Sequence, residues 1–347
     1  MSAESLLRLP FDHYARYRLA ADAVGATRAG MARARVLDVG GGPGSLAAFC
    51  PGDDVVAVDL HHPSAWHVAA PLLTLADGAQ LPFADDSFDV VVSLDTLEHI
   101  EAEQRGSVLR EAVRVARGWV LVVCPCDTQG VPEADSALLA LVRHRFGEEF
   151  ETVGVLQEHL AFGHPDPDEI HRQLASAGAE VVRFPSGRLD RWLPMMVLFY
   201  HLMALGRDDP VERFQAWYND LFYRDDLREP SYRQAFLARV PGAGGPSARE
   251  VVDALLPTGE SQTADTAVLD AVRAGLSEDV AVSVEDYRAR LAQLEQRLAH
   301  AEAQLADQTG RADAAEQRAA ALEEFRAQVL AHPLVRARSV LRRLGGR

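Results

Sequence analysis

The chain has 347 residues, of which 48% are hydrophobic, so it is long and apolar enough to bury a full core in one large domain or two. Its formal net charge of -16 at pH 7 argues against a nucleic-acid partner, because binding to phosphates requires a basic face. The three cysteines are too few for a disulfide framework, and the sequence shows neither a secretory signal nor a membrane-spanning apolar run. We therefore expect a cytoplasmic protein.

Short apolar runs alternate with amphipathic segments from residue 34 to about residue 184, a pattern typical of an α/β fold with a parallel sheet. An aromatic-rich helical excursion follows over residues 190–225. The predicted helices lie at 45–49, 65–70, 101–116 and 166–177, and the predicted strands at 34–40, 55–60, 88–94, 119–125, 179–184 and 231–240.

The sequence "PGAGGPS" (241–247) ends the predicted globular domain, residues 1–243, with a run of turn-forming residues. Residues 244–283 are predicted to be a linker that contains one short helix. Apolar residues then recur over 284–331 with the heptad spacing of a coiled coil, and opposite charges at successive g and e positions favour a parallel homodimer. The alternative is a lone solvated helix or one that folds back on the domain. The charged pairs are Arg290–Glu295, Arg297–Glu302, Arg311–Glu316 and Arg318–Glu323.

The last predicted segment, residues 332–347, has a basic amphipathic pattern, with arginines on one side and aliphatic residues on the other. A segment of this kind suits an anionic membrane surface, which predicts a peripheral location at the inner membrane face. The alternative is a frayed, fully soluble terminus.

A glycine-rich loop follows the first predicted strand, with Asp38, Gly40, Gly42 and Gly44 spaced as D-x-G-x-G-x-G. Glycines allow a sharp backbone turn and let a ligand lie directly against the chain. The loop alone does not identify that ligand, because residues 42–47 also satisfy the loose dinucleotide pattern G-x-G-x-x-G/A. An acid at the end of the second strand can bind both hydroxyls of a ribose, which NAD and S-adenosylmethionine share.

Residues 75–100, "LADGAQLPFADDSFDVVVSLDTLEHI", distinguish between these two candidate ligands. With "RVLDVGGGPG", "VVAVDL" and "EAVRVARGWVLVVCP" in this order, the block resembles the class I S-adenosylmethionine-dependent methyltransferases, specifically the methyltransferase type 11-like group. The resemblance covers roughly residues 10–185 and departs at 116–119, where such enzymes often carry a Pro-Gly-Gly turn. It implies a Rossmann-like seven-stranded mixed sheet with helices on both faces.

The resemblance also implies how S-adenosyl-L-methionine is held. Asp38 would face the ammonium of the methionine part, which would lie on the backbone of residues 40–44. Asp59 would bind the ribose hydroxyls, and Leu94 and Asp95 would border the sulfonium.

The adenine would lie among residues that follow the second predicted strand and the family's third strand position, which precedes residue 77. Leu60 would cover one face of the ring, and Asp77 would accept a hydrogen bond from its amino group. Gly78 or Ala79 would offer a backbone N–H to the ring. All these acids lie at carboxyl ends of strands, where open α/β sheets bind ligands.

Methyl transfer needs few protein groups, because the sulfonium is already activated and the acceptor must mainly be aligned in line with the S–CH3 bond. A general base is needed only when the acceptor must lose a proton. The candidates are Glu158, His159 and His164, which we place in loops after the fifth strand, and we select His159 together with Asp95 as candidate catalytic residues. The alternative for His164 is a turn cap.

Three histidines beside the second strand, His61, His62 and His67, do not have the spacing of a metal site on one helix, so no metal is predicted there. Near the N-terminus, Tyr14 or Arg16 of the leading helix could contact the cofactor. The aromatic residues of the excursion either roof an acceptor pocket or pack against the sheet. They are Trp192, Phe199, Tyr200, Trp217 and Phe222.

The predicted acceptor is the hydroxyl of a sugar, a glycan or a related small molecule. A methyltransferase head with a coiled-coil stalk and a basic tail is similar to bacterial enzymes that modify saccharide chains at the membrane. Two alternatives remain, an NAD-dependent oxidoreductase and a non-catalytic scaffold that acts through its coiled coil.

Overall fold

The computed structural model divides into two compact units, Met1–Ser261 and Gln262–Arg347. Almost all of the described residues belong to the first unit. The predicted coiled coil and basic tail lie outside the described residues apart from three positions, so they stay predictions. The residues described are 2–28, 30–42, 44–61, 73–206, 208–259 and 261, with 296, 322 and 323.

A seven-stranded mixed sheet forms the centre of the first unit, in the order β3-β2-β1-β4-β5-β7-β6. All neighbouring strands are parallel except β7, which runs antiparallel to both β5 and β6. The strand order reverses between β1 and β4, which is the position where open sheets of this kind bind ligands. The strands are β1 Arg35–Val39, β2 Asp54–Asp59, β3 Leu73–Leu75, β4 Phe88–Leu94, β5 Ala116–Pro125, β6 Glu180–Arg188 and β7 Ser231–Arg239.

Helices cover both faces of this sheet, so the predicted Rossmann-like fold class is confirmed. One core layer contains side chains of α2, α3 and α10, and the opposite layer contains side chains of α4 and α7. Among the described helices, none combines the length and hydropathy needed to cross a bilayer. The helices are α1 Ala3–Leu7, α2 Phe11–Thr27, α3 Leu46–Phe49, α4 Ala102–Val115, α5 Val131–Phe146, α6 Glu151–Phe162, α7 Pro167–Ser176, α8 Leu189–Ala204, α9 Asp208–Phe222 and α10 Ala248–Leu255.

Strand β4 shows why the apolar runs become strands. Every residue of β4 is buried, and alternate side chains enter opposite core layers. Val90, Val92 and Leu94 pack on the α2 side, while Val91 packs on the α4 side. The period of two matches the pleat, and burial on both faces explains the continuous apolar sequence.

Two helices occupy the segment that the sequence analysis treated as loops after the fifth strand. Helix α5 is followed by the capping residue Gly147 and α6 by Gly163, both of which have a positive φ. The structure therefore corrects the placement of Glu158 and His159, which lie on α6, whereas His164 lies in the loop after that helix. The predicted helix at 65–70 falls outside the described residues.

Helix α10 lies within the segment predicted to be a linker, and it packs on the core of the first unit. Ala248, Val251, Val252 and Leu255 recur at the spacing of one helical face, and all four are buried beside α2. A capping box formed by Ser247 and Glu250 begins the helix. The compact unit thus extends past residue 243 because this apolar face needs a partner surface.

Candidate functional site

The glycine loop joins β1 to α3 at the point where the strand order reverses. Gly40, Gly42 and Gly44 have φ values of 75°, 45° and 74°, which residues with a side chain rarely adopt. The amides of Gly40 and Gly41 both donate to the carbonyl of Val58, at 2.8 and 3.1 Å, and so tie the loop to the end of β2. The backbone forms a tight turn whose outer surface carries no side chains at the three glycines.

Asp38 lies beneath this loop and is buried. Neither of its carboxylate oxygens has a hydrogen-bond partner among the described residues. Burial raises the pKa of Asp38 to about 7; the charge of Arg16 opposes this rise and that of Asp59 adds to it. A Cβ on Gly41 would lie only 2.7 Å from the Asp38 Cγ, so the loop leaves room for the carboxylate and little else. A buried, unpaired carboxylate of this kind favours a cationic ligand group.

Asp59 ends β2 and supports the other side of the loop. Its Oδ2 accepts the Gly42 amide at 2.9 Å, and its Oδ1 accepts the His61 amide at 3.1 Å. Each oxygen keeps acceptor capacity for a ligand hydroxyl. Leu60, the next residue, is 63% exposed, so its apolar side chain is open to contact by a ligand ring.

The turn after β3 completes a cavity of about 450 Å3. Asp77 Oδ1 accepts the Ala79 amide at 2.8 Å, so that amide is already engaged and Gly78 is the better candidate donor to a ring. Seven of the residues selected from the sequence line this cavity together. They are Gly40, Asp59, Leu60, Asp77, Gly78, Asp95 and Glu158.

The two residues expected beside the sulfonium differ from each other. The Leu94 side chain packs in the core on the α2 side, because the alternation along β4 points it away from the cavity. Asp95 faces the site, with Arg233 at 2.6 Å and Arg16 at 2.5 Å from its Oδ2. Although burial alone would raise it, the charges of Arg233 and Arg16 hold the pKa of Asp95 well below its usual range. This carboxylate is therefore a poor proton acceptor.

A second cavity, of about 580 Å3, adjoins the first, and Asp95 and His99 line both. Its walls include Trp192, Phe199 and Tyr200, so for these three residues the structure favours the pocket-lining alternative over packing against the sheet alone. The other two aromatic residues of the excursion do not line it. Trp217 is 38% exposed and Phe222 is buried against Tyr218. Of the N-terminal candidates, Arg16 lines the cavity, whereas Tyr14 packs in the core beside Phe49 and Tyr223.

Polar groups converge on one wall of this second cavity. His159 Nδ1 donates to Asp135 Oδ2 at 2.8 Å, and His164 Nε2 donates to the same oxygen at 2.9 Å. The Tyr232 hydroxyl donates to Asp135 Oδ1 at 2.7 Å. Although burial opposes it, these hydrogen bonds lower the pKa of Asp135 to about 2, so this carboxylate is ionised and fixes the His159 ring.

The same wall contains His99 and Glu98, in the short turn Leu97–His99 after β4. His99 Nδ1 lies 2.9 Å from Glu158 Oε2, and its Nε2 lies 3.3 Å from His159 Nε2. Glu98 is 0% exposed, and no described residue bonds to its carboxylate oxygens. Burial and the charge of Asp95 raise the pKa of Glu98 well above its usual value.

The sequence analysis did not select Glu98, Asp135 or Arg233. Asp135 could have been found, because it interrupts the apolar face that Val131, Ala134 and Leu138 form along α5. Of the three histidines beside β2, His61 lines the smaller cavity, while His62 and His67 lie outside the described residues.

Residues 37–123 match a protein-family model described as a methyltransferase domain. A curated relative from Mycolicibacterium vanbaalenii, named as an uncharacterized methyltransferase, is 37% identical over 109 residues, which are 29% of this chain and 41% of the relative. Another uncharacterized methyltransferase, from Mycobacterium tuberculosis H37Rv, is 37% identical over 97 residues, 25% of this chain and 37% of the relative. The chain thus spans about two fifths of the length of these relatives.

Solved structures overlap with a larger part of the chain at lower identity. The YcgJ protein of Bacillus subtilis is 17% identical with a TM-score of 0.37, covering 65% of this chain and 99% of that one. Phosphoethanolamine N-methyltransferase 2 of Haemonchus contortus, in complex with S-adenosyl-L-methionine, is 18% identical with a TM-score of 0.39, covering 62% and 50%.

Proposed function

We propose that this chain, whose residues 37–123 match a methyltransferase-domain model, transfers a methyl group from S-adenosyl-L-methionine to a hydroxyl group in the larger cavity. The observation that carries the proposal is the buried carboxylate of Asp38, which lies without a partner beneath a glycine loop. Asp59 and Asp77 follow the next two strands and line the adjoining cavity.

The cofactor fits these residues group by group. Its ammonium would offset the buried charge of Asp38, its ribose hydroxyls would donate to Asp59, and its adenine would lie between Leu60 and Asp77. When bound, the cofactor supplies a methyl group that its sulfonium already activates. A dinucleotide fits less well, because its pyrophosphate would lie over the same loop and its negative charge would meet Asp38.

The acceptor would occupy the cavity of about 580 Å3, whose contact with the cofactor cavity lies at Asp95 and His99. Aromatic and aliphatic walls hold the acceptor and exclude water, which is the main requirement for an in-line displacement. Asp95 lines the cavity, and its ion pairs with Arg16 and Arg233 hold its side chain in place. His159, which Asp135 holds in place, is the residue that acts on the acceptor hydroxyl.

A sugar or glycan hydroxyl is the acceptor we propose. The support comes from the sequence pattern of a coiled-coil stalk and basic tail after the catalytic unit, and from the aromatic residues that line the larger cavity. On the same grounds we propose a homodimer in the cytoplasm, with contact to the inner membrane face through residues 332–347.

The cofactor assignment is tested by calorimetry with S-adenosylmethionine and with NAD. We expect binding of the first alone, and loss of that binding in Asp59→Ala. Asp54→Ala is the matched control, because Asp54 begins the same strand at the opposite end and is paired only at the surface. Binding of NAD without S-adenosylmethionine would overturn the proposal. Transfer of a labelled methyl group to saccharide acceptors then tests the substrate class.

A further inference from the structure

The ring nitrogens of His99 and His159 face each other in an arrangement that neutral imidazoles do not satisfy by themselves. Each Nδ1 is held by a carboxylate, Glu158 for His99 and Asp135 for His159. Because these carboxylates accept hydrogen bonds, each Nδ1 carries the hydrogen and each Nε2 keeps a lone pair. The two Nε2 atoms lie 3.3 Å apart, so two lone pairs come within hydrogen-bond distance of each other with no hydrogen between them.

Glu98 contributes a third donor at the same place. Its carboxylate is fully buried, and no other described residue bonds to either oxygen. One ligand atom from each of Glu98, His99 and His159 lies within 4.8 Å of the other two. This spacing suits ligands that surround one ion, since metal–ligand distances of about 2.0–2.2 Å place neighbouring ligands roughly 3–4 Å apart.

We propose that Glu98, His99 and His159 bind a divalent transition-metal cation, such as Zn2+, between the two cavities. Two imidazoles and one carboxylate are a ligand set that such cations accept, and three protein ligands leave a coordination position open for the acceptor. Asp135 and Glu158 orient the two histidines, as outer carboxylates do in metal sites.

Two features of the surroundings favour this set over its alternatives. Two arginines, Arg16 and Arg233, lie close enough for their charges to act on Glu98. The carboxylates of Asp12 and Asp95 balance these charges, so little net positive charge is left to repel a cation. The neighbouring group Asp135, His159 and His164 also lies close together. Both oxygens of Asp135 are already engaged there, by Tyr232 and by the two histidines, so that group supports the site rather than forming one.

The cation gives His159 a defined role in the proposed methyl transfer, on which this part of the inference rests. An acceptor hydroxyl that coordinates the cation has a lowered pKa and releases its proton to water at the cavity mouth. The resulting oxygen forms a bond to the methyl carbon as the bond from that carbon to sulfur breaks, giving a methyl ether and S-adenosylhomocysteine. His159 thus acts through the cation and does not take the proton itself.

The binding is tested on chelator-treated full-length protein without cofactor, by calorimetry with Zn2+ and by the absorption spectrum with Co2+. We expect one equivalent to bind to the wild type, with affinity at least about 10-fold weaker in Glu98→Gln, His99→Ala and His159→Ala. His171→Ala, on α7 away from both cavities, is the matched control and should bind as the wild type does.

Folding of each variant is checked by circular dichroism and by its binding of S-adenosylmethionine, which Glu98→Gln should keep. A wild type that binds neither metal, or variants that bind as tightly as the wild type, would overturn the metal site. Metal binding without binding of S-adenosylmethionine would overturn only the proposed function.

Discussion

At the scale of single residues, Asp38 is expected to make the affinity for S-adenosylmethionine depend on pH. Its pKa of about 7 in the free protein means that much of it is protonated at pH 6, whereas an ammonium ligand favours the ionised form. Binding of S-adenosylmethionine should therefore release a proton near pH 6, and the affinity should rise as the pH rises through about 7. Calorimetry near pH 6 in two buffers of different ionisation enthalpy measures the release.

Asp38→Asn separates this effect from other titrating groups. The asparagine cannot release a proton, so the heat of binding should become independent of the buffer, and the affinity should fall because the charge pairing is lost. Equal proton release by the wild type and by Asp38→Asn would show that the ammonium does not pair with Asp38.

Gly41 gives a second prediction at this scale, based on space. An alanine Cβ would lie 2.7 Å from the Asp38 Cγ and 2.8 Å from its Oδ2, so the carboxylate must move. Overpacking of this kind costs about 1–3 kcal/mol, and we expect Gly41→Ala to lower both the melting temperature and the cofactor affinity. A Cβ at Gly52 meets no atom within 4 Å, so Gly52→Ala is the control. Identical behaviour of the two variants would contradict this explanation.

At the scale of elements, α10 is predicted to be necessary for folding of the first unit. Val251, Val252 and Leu255 are buried against the core, and each such side chain contributes roughly 1.5–3 kcal/mol. Their sum is comparable to the whole stability of a typical domain, roughly 5–15 kcal/mol. Truncation after residue 261 should keep cooperative thermal unfolding, whereas truncation after residue 243 should lose it. Equal melting temperatures for the two truncations would show that α10 is dispensable.

The strands also show which parts of the fold could be predicted from the sequence. Strand β4 was predicted with its observed bounds, because a strand buried on both faces has a continuous apolar sequence. Strand β3 has only three residues, too few for a periodic signal. Asp38, Asp59 and Asp77 were selected through the resemblance to methyltransferases, and the parallel sheet explains why these positions lie close together, since parallel strands bring their carboxyl ends to one edge.

The cavity wall that contains His99 and His159 could not be predicted in the same way. His159 and Asp135 are 24 residues apart on two helices, and only the packing of α5 against α6 brings them to 2.8 Å. In the sequence, Glu98 resembles an ordinary surface acid. Its complete burial arises only in the folded chain, where the turn after β4 packs at the carboxyl-terminal end of the sheet. The side chain of Leu94 packs in the core, which could not be predicted, because the sequence specifies the strand but not which face carries its last side chain.

At the scale of the whole molecule, the predicted coiled coil over 284–331 remains to be tested. Truncation after residue 283 should convert a dimer into a monomer, since the g-to-e charge pairs of the seam are then absent. Light scattering measures the mass of both forms. The truncated form should bind S-adenosylmethionine as the full chain does, because every residue that lines the two cavities precedes residue 262. A dimer that persists after the truncation would contradict the assignment.

The position of β7 has a consequence for the order in which the chain acquires its shape during synthesis. β7 is the last strand of the sheet in the sequence, yet it lies between β5 and β6, and β6 pairs with no other described strand. Until residue 239 has left the ribosome, β6 has no neighbour and the sheet has a gap. Tyr232 and Arg233, which hold Asp135 and Asp95, arrive on this same strand. The growing chain therefore completes the larger cavity in the same step that closes its sheet.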